Sequence, residues 1–144
     1  MTIGKLTGLA VAGPQVLALT WDDDWTGPVD LAEVIAGHGA LVALTDHVSF
    51  ARATLAHDGW SVEWPGGIDF GAQQLRRWAD QQAGNAMSAA AFRRWMDSHE
   101  FTLDRAAEAL GLSRRMIAYY LSGEQVVPKT VMLATEGVDR RMAA

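Results

Sequence analysis

Leu103–Ser122, LDRAAEALGLSRRMIAYYLS, is the stretch whose reading decides the fold. Leu103, Ala106, Ala107 and Leu110 fall at i, i+3, i+4 and i+7, which gives one apolar face over two helical turns. Gly111 follows at once, where a helix end favours a residue that takes a positive φ without a Cβ clash. Leu112 is an apolar plug, and Ser113 is a good N-cap because its hydroxyl can accept an orphan backbone N–H. In the helix that Ser113 opens, Ile117, Tyr120 and Leu121 again sit at i, i+3 and i+4, and Ser122-Gly123 ends it. The stretch therefore predicts two short helices folded about a three-residue turn.

Helix, glycine turn, helix is the helix-turn-helix pattern, in which the second helix can enter the major groove of DNA. The segment resembles the helix-turn-helix of the phage Cro and λ-repressor type, also called Xre type. The small Ala107, the turn Gly111 and the apolar Leu112, Ile117 and Tyr120 stand where that family keeps its framework, and the likeness spans about residues 88–140. It implies an all-α DNA-binding domain of λ-repressor type over residues 88–144.

Outward from that stretch, Ser88 is placed to cap a helix whose inner face is Phe92, Trp95 and Met96, with Arg93 and Arg94 outside. Thr102 caps the helix of Leu103, and Pro128 suits the first turn of a last helix carrying Val131, Met132, Val138 and Met142, with a break expected at Gly137. Gln81 to Met87, with Gly84-Asn85, marks a domain junction, and Ala72–Gln82 before it reads as a helix with Leu75, Trp78 and Ala79 inside and Arg76, Arg77 and Asp80 facing water.

Residues 1–84 form the front domain. Gly8–Ala12 and Gln15–Trp21 read as strands, Asp22-Asp23-Asp24 as a solvated turn, and Val29–Leu31 as a strand pairing back. Leu31–Ala36 and Asp46–Ala51 read as brief helices, the latter anchored by Val48 and Phe50. Arg52–Ala56 and Trp60–Trp64 form a hairpin about Asp58-Gly59, and Pro65-Gly66-Gly67 stops it. This half resembles a small β-rich bacterial domain of unknown function through Val29-Asp30-Leu31, Phe50 and the closing Trp64-Pro65-Gly66-Gly67-Ile68-Asp69. The resemblance implies an α+β fold, a small antiparallel β domain with short helices, that sometimes precedes a repressor-type helix-turn-helix and also occurs in antitoxins beside small toxins.

Charge and composition bound the function. The formal net charge of −5 is unevenly spread: residues 1–87 hold 10 acidic and 4 basic residues, residues 88–144 hold 7 and 8. A polyanion would meet the local field of the back half, which is only weakly positive, so two copies are expected to act together. With 49% hydrophobic and 20% charged residues the chain should fold. Having no cysteine, it has neither disulfides nor a thiolate metal site. No apolar run reaches the ~20 residues of a membrane span, and Met1–Lys5 lacks a signal-peptide core, so a cytoplasmic location away from membranes is expected.

The histidines His38, His47, His57 and His99 show no metal spacing and read as surface or loop residues. No nucleophile-elbow, P-loop or dinucleotide motif appears, so neither catalysis nor a cofactor is expected. The expected function is sequence-specific binding of double-stranded DNA as a homodimeric transcriptional regulator; the alternative is an antitoxin-type module that neutralises a small toxin. Arg114, Arg115, Ala118 and Tyr119 should face outward on the second helix, with Ser113 and Ser122 at its ends and Lys129 as a phosphate contact. Arginine to guanine N7 and O6 is the commonest specific base contact, whereas phosphate contacts set register. The front domain, with four of the six tryptophans before residue 65, is the expected surface for dimerisation or partner capture.

Overall fold

The computed structural model describes Gly4–Ala143; Met1–Ile3, part of the Met1–Lys5 stretch read above, lie outside the described residues, as does Ala144. The chain is α+β, with small antiparallel sheets and several helices, and divides into two compact units, Met1–Gln82 and Ala83–Ala144.

In the first unit, β2 (Val16–Trp21) is central between β1 (Leu6–Gly13) and β3 (Thr26–Asp30), both antiparallel to it. Strand alternation sends Leu17, Leu19 and Trp21 into the core, where all three are fully buried. A second antiparallel sheet holds β4 (Thr54–Leu55), β5 (Ser61–Trp64) and β6 (Ile68–Gly71). Between the sheets in sequence come α1 (Ala32–Ala36), a 3₁₀ turn over Gly39–Thr45 and α2 (His47–Phe50); α3 (Ala72–Gln82) follows β6. Leu75 and Ala79 of α3 join the same core as β2, Phe50, Val62 and Trp64.

Two indole N–H groups tie this core across long sequence distances: Trp21 Nε1 donates to the Ala72 carbonyl at 3.0 Å and Trp64 Nε1 to that of Phe50 at 2.9 Å. Gly59 has φ +80°, and a Cβ there would stand 2.5 Å from the Leu6 carbonyl oxygen, so the Asp58-Gly59 turn requires glycine twice over.

Several expectations for this unit are corrected. Pro65-Gly66-Gly67 does not end the sheet; it turns β5 into β6, with Gly66 and Gly67 both at positive φ. The strand expected over Arg52–Ala56 shrinks to Thr54–Leu55. Val48 is 73% exposed and anchors nothing; Phe50, two residues on, is the side chain that enters the core. Of the four early tryptophans, Trp21 and Trp64 are buried, Trp25 is half-buried and Trp60 alone is exposed.

Arg76 does not simply face water. Its Nη1 and Nη2 donate to the two carboxylate oxygens of Asp23 at 3.2 and 3.0 Å, its Nε to Asp80 at 3.3 Å, and its guanidinium lies 4.5 Å from the Trp25 ring centre. The Arg76 hydrogen bond, followed by the Trp25 backbone N–H, holds the Asp23 carboxyl below its ordinary pKa.

The second unit contains α4 (Ala89–Ser98), α5 (Leu103–Leu110), α6 (Arg114–Ser122) and α7 (Lys129–Ala143). Its core joins Phe92, Trp95 and Met96 of α4 to Ala106 and Ala107 of α5, Ile117 and Tyr120 of α6, and Val131 of α7. The unit is not all-α as expected: β7 (Ala86–Met87) pairs antiparallel with β8 (Val127–Pro128). Pro128 therefore ends a strand, and Lys129 begins the helix. α7 runs unbroken through Gly137, whose missing Cβ meets no neighbour within 4 Å. His99 is no loose surface residue either. Its ring stacks on Phe101 at 4.9 Å, and Nε2 lies 2.5 Å from Asp139 Oδ1, which also accepts from Trp95 Nε1.

Candidate nucleic-acid interface

The exposed side of α6 is set by how the chain enters and leaves it. Thr102 Oγ1 accepts the Arg105 N–H and starts α5, and Gly111 ends it at φ 70°, ψ 31°. The amide of Leu112 then reaches the Ala107 carbonyl at 2.9 Å while that of Gly111 reaches Glu108, the paired bonds of a Schellman ending. Leu112 packs on the core, and Ser113 Oγ accepts the Met116 N–H at 3.1 Å, so α6 is capped two residues after the turn glycine. Gly123, at φ 81°, closes the far end.

Burial fixes the rotation of α6. Ile117 is fully buried and Tyr120 nearly so, its ring 5.5 Å from that of Phe92. Burial raises the Tyr120 hydroxyl pKa above its ordinary value. With those two side chains inward and Leu121 half-buried beside them, Arg114, Arg115, Ala118 and Ser122 are exposed.

The two arginines differ in their company. Arg114 is 65% exposed and its Nη1 stands 3.7 Å from Asp104, itself 72% exposed, a pairing too long and too wet to hold it. Arg115 Nε donates to the Tyr119 hydroxyl at 2.7 Å, one helical turn on. That bond fixes the guanidinium against the half-buried Tyr119 and uses only one of five N–H donors. Among the described residues nothing pairs with its Nη donors, which leaves the bidentate fork for a planar acceptor pair.

The remaining predicted residues are less available. The Ser113 hydroxyl caps α6, and Ser122 Oγ donates to the Tyr119 carbonyl and accepts the Glu124 N–H, so both serve the helix ends. Lys129 is exposed but opens α7, a different element. Ala118 borders a shallow depression that it shares with Arg93, Met96 and Phe101, which brings Arg93 to the flank of α6. Sequence reasoning missed Asp104 as the nearest counter-charge; its place on α5, across the turn from Arg114, could have suggested it. All eight basic residues after Ala83 are exposed. Among the described residues no group of three or more metal-ligating side chains is assembled, and no helix is long and apolar enough to cross a membrane.

Fold and site thus define a two-unit α+β protein whose helical unit presents an arginine-bearing helix. Among solved structures, the crystal structure of a Nitrosomonas europaea protein described as a "Putative DNA Binding Protein" is similar to this chain at 36% identity, covering 94% of this chain and 86% of that one, with a TM-score of 0.57. The chain belongs to the same family as that protein. No family model and no curated protein matches it.

Proposed function

We propose that the protein binds double-stranded DNA sequence-specifically and regulates transcription, with Ala83–Ala144 acting as a Cro/λ-repressor-type helix-turn-helix domain and α6 as the helix that enters the major groove. The observation that carries this reading is the exposed arginine pair at the start of α6, on a helix whose other side is locked into the core. Two arginines in a first turn oppose the positive end of the helix dipole, at a cost of about 0.3–1 kcal/mol, and an anion there offsets it. Arg115, oriented by Tyr119, suits the O6/N7 edge of guanine; Arg114 can exchange Asp104 for a phosphate or a base. Arg93, Lys129 and the neighbouring exposed cations supply register. The description of the Nitrosomonas europaea relative agrees with this reading.

Purified protein should select a common motif from fragmented genomic DNA, and its affinity for that motif should fall steeply as salt rises, through release of counterions from the phosphates. Recovery of random fragments alone, or an affinity flat across the salt series, contradicts it.

A further inference from the structure

One stretch of the first unit stands out against its acidic surroundings. From Val34 to Thr45 there is no Asp, Glu, Lys or Arg. The 3₁₀ turn and α2 send Leu44 and Phe50 inward, at 1% and 2% exposure. The same backbone turns Val42 and Val48 outward, at 65% and 73%, the two most exposed large hydrophobic side chains among the described residues. Ala40, Ala43 and Ala51 are exposed with them. Ala43, Ser49 and Arg52 line one small cleft, which joins the turn to the end of α2 in a shoulder.

Charge at its margins is self-complementary. Asp46 opens α2, its Oδ2 accepting from the Ser49 N–H and hydroxyl at 3.0 Å, and is exposed. Arg52 lies just past the other end, exposed, with no ion partner among the described residues. Val48 and Arg52 are four residues apart, hence on one side of this turn of chain. A two-fold axis near Ser49 exchanges the two ends of α2. About such an axis each Asp46 would face the Arg52 of the other copy, and valine would meet valine.

We propose that this shoulder is where two copies of the chain associate, α2 against α2 in antiparallel sense, with Val42 and Val48 at the centre and two Asp46–Arg52 pairs at the rim. The proposal rests on the DNA-binding reading for its biological use, since one such module makes few contacts and two-fold partners read half-sites about 34 Å apart. An isologous contact of this kind closes on itself and stops at a dimer.

The test is the oligomeric state of the full chain without DNA, by sedimentation equilibrium. The wild type is expected to be a dimer. Val42→Asp and Val48→Asp should each raise its dissociation constant about tenfold or more while leaving the tryptophan circular-dichroism signature intact, because both positions are exposed in the single chain. Arg52→Glu should weaken it too, and adding Asp46→Asn should restore part of the loss, since asparagine keeps the helix cap and removes the repelling charge. A wild-type monomer throughout, or a dimer indifferent to all four substitutions, overturns the proposal. A dimer that responds as described but binds no duplex upholds the shoulder and overturns the DNA reading instead.

Discussion

Arg76 on α3 and Arg114–Arg115 on α6 are the same residue type on helices of similar length, and they lead different lives. Arg76 is closed in by two carboxylates and an indole face, all supplied by the first unit. The α6 arginines meet one loose carboxylate and one tyrosine hydroxyl. A guanidinium with both edges occupied is a structural tie, and one with its fork open is an offer to a partner. Periodicity puts both kinds on the outside of a helix; only the tertiary neighbours separate them.

The sharpest way to break the comparison is to unmake the platform under α6. Phe92 is fully buried and touches the rings of Trp95 and Tyr120. Phe92→Ala should cost the second unit about 3–5 kcal/mol in urea unfolding, with the core containing Trp21 unaffected because its buried residues belong to a separate cluster. Loss of both units together would mean that the two cores are one.

A smaller effect is expected at the committed arginine. Arg76→Ala removes partly exposed ion pairs and a stacked ring contact, together about 1–2 kcal/mol, with DNA affinity unchanged. Its pH dependence has a definite sign. The Asp23 carboxyl is held below its ordinary value of 3.8, so its contribution is present above that value and is lost as pH falls through the depressed one. The gap in stability between wild type and variant should therefore begin to narrow as pH falls below about 4, and a gap that widens on acidification would contradict the pairing.

What the sequence disclosed follows the range of the forces involved. Ser88, Thr102 and Ser113 cap helices where their short side chains and the following apolar spacing imply, and Gly111 takes the left-handed conformation its position asks for. Those are local choices, each settled within four residues. The exposure of Arg114 and Arg115 was legible for the same reason, since Ile117 and Tyr120 determine the inward side. By contrast, the two-residue ladder of β7 and β8 is too short to show a period, and it pairs Met87 with Val127 across forty residues. β6 hid behind three consecutive turn-forming residues. Asp23 and Arg76 meet 53 residues apart, and nothing in either neighbourhood announces the other. Val48 misled because an apolar residue beside Phe50 reads as core until the turn of α2 is known. The Arg115–Tyr119 bond has an i, i+4 spacing that sequence could have offered, and it was read only as two outward residues.

Whether α6 reads DNA through its open arginines is tested most directly by the affinity of Arg114→Ala and Arg115→Ala proteins for the selected motif and for a motif with its guanines exchanged. Each substitution should lower affinity for the intact motif by about ten- to a hundredfold and shrink the preference over the exchanged one, with the unfolding midpoint unmoved. Full affinity and full preference in both variants would place recognition elsewhere on the molecule and contradict the assignment of α6.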